Sequence, residues 1–293
     1  MKLVAAFLTL LGISIAAQAQ SLDSQALPDQ VRINGVEFVL IPEGWFYKAS
    51  ASISAGGAEL AVEDPKIWLD SFYIGKYEAR AKDLVRFLNS NRGVDYQGVG
   101  TSCSIGREAD GQYVQFRPDD NLPATHLSWE QASQWALWMG FRLPTELEWE
   151  KAARGQDKRI FPWGNAWPDE TYLNFYTNSK CSVERVDRYK KGVSPYGIYN
   201  MSGNVYEYVG TWLDHEFDRS LKDGMRNPTP ADDSASTRII LKGGRWGSKA
   251  DFVKIGSRMA SSPDHIWRCN GTRFAIDTEA VKRHLDNGSA EIL

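Results

Sequence analysis

Cysteine and histidine, the side chains from which soft-metal and proton-transfer sites are commonly built, are scarce: three and four among 293 residues. Cys103, Cys181 and Cys269 stand far apart, with no C-x-x-C and no paired spacing, which excludes a zinc finger or ribbon. The odd count leaves at least one thiol over. One disulfide with one buried thiol, or three free thiols, would each satisfy it. His126, His215, His265 and His284 are scattered, and Asp214-His215-Glu216 with Asp218 reads as a solvated acidic loop, because consecutive residues rarely all face one ion. A basic surplus is missing too. Thirty-four Lys and Arg against 37 Asp and Glu give a net charge of -3, so nucleic acid and anionic membrane surfaces are poor electrostatic partners. There is no internal repeat and no low-complexity tract.

The one extended apolar run, residues 3–17, follows Met1-Lys2 and precedes the small-x-small sequence Ala17-Gln18-Ala19. This pattern predicts a secretory signal peptide over 1–19, cleaved near Ala19, and a periplasmic or secreted protein. The run is too short for a comfortable bilayer span, and no cysteine follows the cleavage point to accept lipid, so no membrane anchor is expected. About 270 residues remain, enough for one large domain. Eleven Trp, 12 Tyr and 12 Phe predict a core that leans on large planar side chains.

Residues 36–46 read as a strand, a Pro-Glu-Gly turn and the start of a second strand; 48–63 as an exposed loop; 68–77 as one strand; and 82–89 as a short helix with Leu84, Val85 and Leu88 inward. Residues 93–121 read as a long loop or insertion, either a variable surface loop or a substrate wall. Two capped helices follow. Ser128-Trp129-Glu130-Gln131 is a capping box, with Trp129, Ala132, Ala136 and Met139 at helical spacing and Gly140 as the stop. Thr145 with Glu148 is a second box, and Gly155 supplies its left-handed stop.

His126-Leu127-Ser128-Trp129, then Arg142-Leu143-Pro144-Thr145-Glu146 through Ala152-Ala153-Arg154-Gly155, then Phe161-Pro162-Trp163-Gly164 resemble, in order and spacing, signature segments of the formylglycine-generating enzyme or sulfatase-modifying-factor family. Residues 36–46 resemble that family's opening hairpin, and Gly271-Thr272-Arg273-Phe274-Ala275 its terminal Gly-Phe-Arg strand. The resemblance implies an α+β fold: a single irregular C-type-lectin-like domain with few long elements and many loops, over residues 31–277, with 278–293 as a C-terminal tail.

Asn200-Met201-Ser202-Gly203-Asn204-Val205-Tyr206-Glu207 is rich in oxygen donors and, on composition alone, is either a plain turn or a calcium loop. The family has a calcium loop reading Asn-x-x-Gly-Asn-x-x-Glu, so the resemblance implies structural calcium on Asn200, the Gly203 and Val205 carbonyls, and Glu207. A second family site is not expected, since residues 180–187 lack its acidic-glycine turn. Lys242-Gly243-Gly244-Arg245-Trp246 opens the segment where the family keeps its catalysis and where formylglycine-generating enzymes bind copper(I) through two cysteines. In this register those positions are Ser248 and Val253, neither a soft ligand, so copper-dependent oxidation of a sulfatase cysteine is not expected and any redox metal stays unassigned. The His-x3-His-x-Glu triad of the family's iron-dependent relatives is missing as well.

The resemblance then implies a pocket lined by Arg245, Trp246, Ser248, Arg258, Asp264 and His265, in a divergent protein of the pyoverdine-maturation type. Such a protein would take part in oxidation or maturation of a peptide-like or secondary-metabolite substrate, with the two arginines suited to a carboxylate. The alternatives are a non-catalytic lectin-like module that binds a periplasmic partner protein, and, more weakly, formylglycine generation. Catalysis itself is left open.

Overall fold

The computed structural model describes residues 26–49, 64–99, 104–116, 121–176, 183–230 and 236–293. Residues 1–19, expected to be a signal peptide, most of the loop expected at 48–63, and Cys103 and Cys181 lie outside them. In chain order the elements are β1 (Gln30–Ile33), β2 (Val36–Ile41), β3 (Gly44–Tyr47), β4 (Lys66–Leu69), β5 (Phe72–Gly75), α1 (Ala81–Ser90), β6 (Ile105–Arg107), β7 (Tyr113–Gln115), α2 (Trp129–Trp138) and α3 (Glu146–Arg154). There follow β8 (Tyr206–Trp212), α4 (His215–Ser220), β9 (Ile239–Lys242), β10 (Met259–Ser261), β11 (Asn270–Thr272), β12 (Ala275–Asp277), α5 (Thr278–Asp286) and β13 (Ala290–Ile292).

A five-stranded sheet runs β12-β5-β2-β1-β13 and a four-stranded sheet runs β10-β9-β8-β11. Along β2 the side chains alternate between two cores: Phe38 faces the one built with α1 and α2, while Val39 and Ile41 face the one built with α3. The fold is the α+β arrangement of few helices and many strands and loops that the motifs imply. Both capping boxes are present, Ser128 accepting from the Gln131 amide at 3.1 Å and Thr145 from the Glu148 amide at 3.2 Å. Trp135, outside the expected inward set, is fully buried in α2.

Several expectations are corrected. The hairpin lies one step earlier, where β1 and β2 pair across Asn34 and Gly35, both with positive φ, as a two-residue turn matched to strand twist requires. β2 and β3 do not pair. Pro42 carries no amide to continue a ladder, and β3 crosses to a separate hairpin with β4. Residues 68–77 are likewise two strands, broken at Asp70-Ser71, with β4 and β5 in different sheets. The presumed loop at 93–121 holds the β6–β7 hairpin and sends Tyr96, Ile105 and Tyr113 into the core. Residues 278–293 are no tail. They form α5 and β13, and β13 pairs Ala290–Ile292 with Val31–Ile33 to close the edge of the five-stranded sheet.

Candidate functional site

The site is laid on a buried ionic frame that begins at α3. Its first turn and second turn present Glu146 and Glu150 into the protein, where Lys242, at the end of β9, lies 2.8 Å from Glu150 and 3.3 Å from Glu146. Lys48 stands 3.8 Å from Glu150 on the far side. Arg258 closes the near side, with a bidentate pair to Glu146 and a second pair to Asp218 of α4. Burial alone would push the Glu146 carboxyl up, but the charges of Arg258, Lys48 and Lys242 hold it well below the usual carboxylate range. Three cations thus meet three carboxylates, and none is left over.

Beside this frame the loop at 200–207 packs through left-handed backbone at Asn200, Gly203 and Asn204. A Cβ on Gly203 would stand 2.4 Å from the Asn174 carbonyl oxygen, so glycine is required. Glu207 is fully buried; both of its oxygens accept from Arg273 at 2.6 Å, and one also accepts from the Trp149 indole at 2.7 Å. Asn200 and Asn204 donate to a second buried carboxylate, Glu78, at 2.7 and 2.9 Å. Burial, and then the nearby charge of Glu207, push the Glu78 carboxyl up to about 8. Asn200 Oδ1 is buried without a hydrogen-bond partner. The orphaned amide oxygen is a hard donor open to a cation, whereas Glu207 is already paired through both oxygens with the Arg273 guanidinium. Of the expected calcium residues, Asn200 thus offers an unpartnered oxygen and Glu207 a carboxylate shared with Arg273; no group of three or more His, Cys, Asp and Glu able to hold a metal occurs among the described residues.

Next to Arg258 opens a cavity of about 400 Å3 between β8, α4, β10 and the segments before β9 and β11. Arg238, Arg245, Arg258 and His215 bring positive or protonatable groups to it; Tyr206, Phe252 and Trp267 bring rings; Leu213, Met259 and Ala260 complete the wall. Among the described residues no carboxylate lines it. Of the six residues expected there, Arg245 and Arg258 do line it, but the guanidinium of Arg258 is already committed to Glu146 and Asp218. Trp246 does not: its side chain is 2% exposed and packs in the core. Ser248 is buried behind the wall, where it accepts from the Arg245 amide at 3.0 Å and bonds the Tyr206 hydroxyl. Asp264 and His265 are exposed and outside the cavity.

Sequence reasoning missed Tyr206, His215, Arg238, Phe252 and Trp267. In place of the solvated acidic loop expected around His215, Asp214 caps the short α4, accepting from the Glu216 and Phe217 amides, and His215 lines the cavity. The copper positions do not fit that metal. Val253 is fully buried against Phe161 and Leu173, and Ser248 offers a hard oxygen. Cys269 is free and buried, and burial raises its thiol to about 11, which keeps it a neutral thiol rather than a thiolate ligand.

Residues 24–278 match the sulfatase-modifying factor enzyme 1-like domain, FGE-sulfatase. The chain is 29% identical over 245 residues to the serine/threonine-protein kinase pkn1 of Chlamydia pneumoniae, covering 82% of this chain and 38% of that protein. It is 31% identical over 191 residues to the formylglycine-generating enzyme of Thermomonospora curvata, covering 58% of this chain and 60% of that one. The chain thus spans less than two thirds of the length of either relative. Among solved structures, PvdO from Pseudomonas aeruginosa superimposes with a TM-score of 0.65 at 22% identity, over 86% of this chain and all of that one, a likeness of fold. With the signature segments, the fold and a domain match across most of its length in agreement, the chain belongs to the sulfatase-modifying-factor, or formylglycine-generating-enzyme, family.

Proposed function

We propose that this protein is an exported maturation protein of its family that works without the copper pair, taking a peptide-like or small-molecule secondary-metabolite substrate into the cavity beside Arg258. The observation that carries the reading is the replacement of soft ligands at the family's copper positions, Ser248 and Val253, next to a retained cavity whose walls are cationic and aromatic. Export rests on the signal-peptide pattern over 1–19; no helix among the described residues is long and apolar enough to cross a membrane. Calcium would be held by Asn200, Gly203, Val205 and Glu207 and would pin the loop that leads into β8, and so Tyr206 on the cavity floor; it supplies charge and no redox chemistry.

The test is comparative mass spectrometry of periplasmic and extracellular extracts from a strain lacking the gene and from its complemented parent. A precursor that accumulates in the deletion, and is converted when purified protein is added, supports the reading. Identical metabolite profiles refute it. A binding module is the second reading, favoured by one observation: among the described residues His215 is the only imidazole or carboxyl group lining the cavity, a sparse set for proton transfer. A substrate that binds the purified protein tightly and leaves unchanged would select that reading.

A further inference from the structure

We propose that the cavity is an anion-recognition site in which Arg245 and Arg238 grip the carboxylate of an aromatic acid whose ring lies against Trp267 and Phe252. This deepens the reading above and rests on the cavity being the substrate pocket.

Charge accounting around the cavity singles out the two arginines. Arg258 lines the wall, but Glu146 and Asp218 neutralise it, and Lys242 behind it is neutralised by Glu150 and Glu146. Arg238 gives one Nη2 bond, 2.5 Å, to the Ala260 carbonyl, a neutral acceptor that orients the guanidinium without cancelling its charge. Arg245 is half-buried and forms no ion pair among the described residues, while its charge acts on the Tyr206 hydroxyl at the cavity floor. A half-buried guanidinium with no counter-ion is uncommon, because withdrawing it from water without a partner is costly. That fork, with the exposed Arg238 beside it at a cavity that no described carboxylate lines, makes a site for an external anion, and the planar fork favours carboxylate geometry.

The rings define the rest of the ligand. Trp267 and Phe252 are 37% and 39% exposed, large apolar faces left in water at the cavity wall, and an aromatic ring set against them would bury area and gain ring contacts. A volume of about 400 Å3 accommodates a fused bicyclic acid.

The experiment is isothermal titration of the mature chain with 1-naphthylacetate and with its uncharged counterpart 1-naphthaleneethanol, at low salt. The acid is expected to bind at least 10-fold tighter than the alcohol. Arg245→Gln and Arg238→Gln should each lower acid affinity at least 10-fold and leave the alcohol unchanged, while Lys249→Gln, an exposed cation outside the cavity, should change neither. Arg245→Lys keeps the charge without the fork and should fall between wild type and Arg245→Gln; unfolding midpoints within about 2 °C of wild type show that each variant is folded. Equal affinity for acid and alcohol, no binding of either at millimolar concentration, or full acid affinity in the Arg238→Gln/Arg245→Gln double variant overturns the proposal. Arginine-dependent binding in a protein whose deletion changes no metabolite would refute the maturation reading alone.

Discussion

Replacing Lys242 by Met probes the frame on which the cavity rests. Its ammonium is fully buried, 2.8 Å from Glu150 and 3.3 Å from Glu146. Without it, Glu146 keeps its bidentate pair with Arg258, but Glu150, itself fully buried, keeps only Lys48 at 3.8 Å and the Ala49 amide at 3.0 Å. Removing one partner of a buried pair costs about 3–5 kcal/mol, because the remaining charge is stranded in a poorly polarisable interior. Urea unfolding followed by tryptophan fluorescence at neutral pH should show that loss, with a fall in Tm on the order of 10 °C. The double variant Lys242→Met/Glu150→Gln removes one charge of each sign and restores balance among Lys48, Arg258, Glu146 and Asp218. It should lie within about 2 kcal/mol of wild type, giving a coupling energy of about 2 kcal/mol or more. A single variant costing under about 1 kcal/mol, or a double variant that equals the sum of the singles, would refute the charge-balance account.

His126 is buried at φ 60, and burial, aided by the charge of Arg268, lowers its imidazole to about 4. Because the unfolded chain binds that proton from about 6.5 downward, the group stabilises the fold at neutral pH by up to about 3 kcal/mol, lost as pH falls from about 6.5 to about 4. His126→Asn, which tolerates the left-handed backbone, should remove this part of the acid sensitivity; unchanged pH dependence in denaturant titrations would contradict it. Gly203→Ala should cost about 2–5 kcal/mol, since the new Cβ meets the Asn174 carbonyl in a left-handed conformation, and a variant that melts with wild type would show the loop relaxes freely. Millimolar calcium should raise the Tm of the wild type and chelator should lower it, whereas Asn200→Ala, which deletes the orphaned oxygen, should respond to neither; a wild-type Tm indifferent to calcium rules out the ion at this loop.

What the sequence determined by itself is what local chemistry determines. The capping boxes at Ser128 and Thr145 close within three residues, so their helices, and the left-handed stops at Gly140 and Gly155, follow from nearest neighbours on the chain. The order of the signature segments marked the family, and the Ser248 and Val253 substitutions marked the missing copper ligands without any coordinates. The Asn34-Gly35 turn is equally local and legible, and it, not Pro42-Glu43-Gly44, carries the opening hairpin. The tertiary structure decided everything that depends on distant partners. Arg258 looks from sequence like a free anion binder; only the fold brings it to Glu146, 112 residues away, and to Asp218, which takes its charge out of play. Glu207 reads as a free calcium carboxylate until Arg273, 66 residues on, closes over it. Arg238, His215 and Trp267 carry no motif, and they become one cavity because β8, β9, β10 and β11 lie side by side in a single sheet. Short-range hydrogen bonds are written in adjacent residues, whereas the pairing of charges and the walls of a cavity are set by which strands the chain places next to one another.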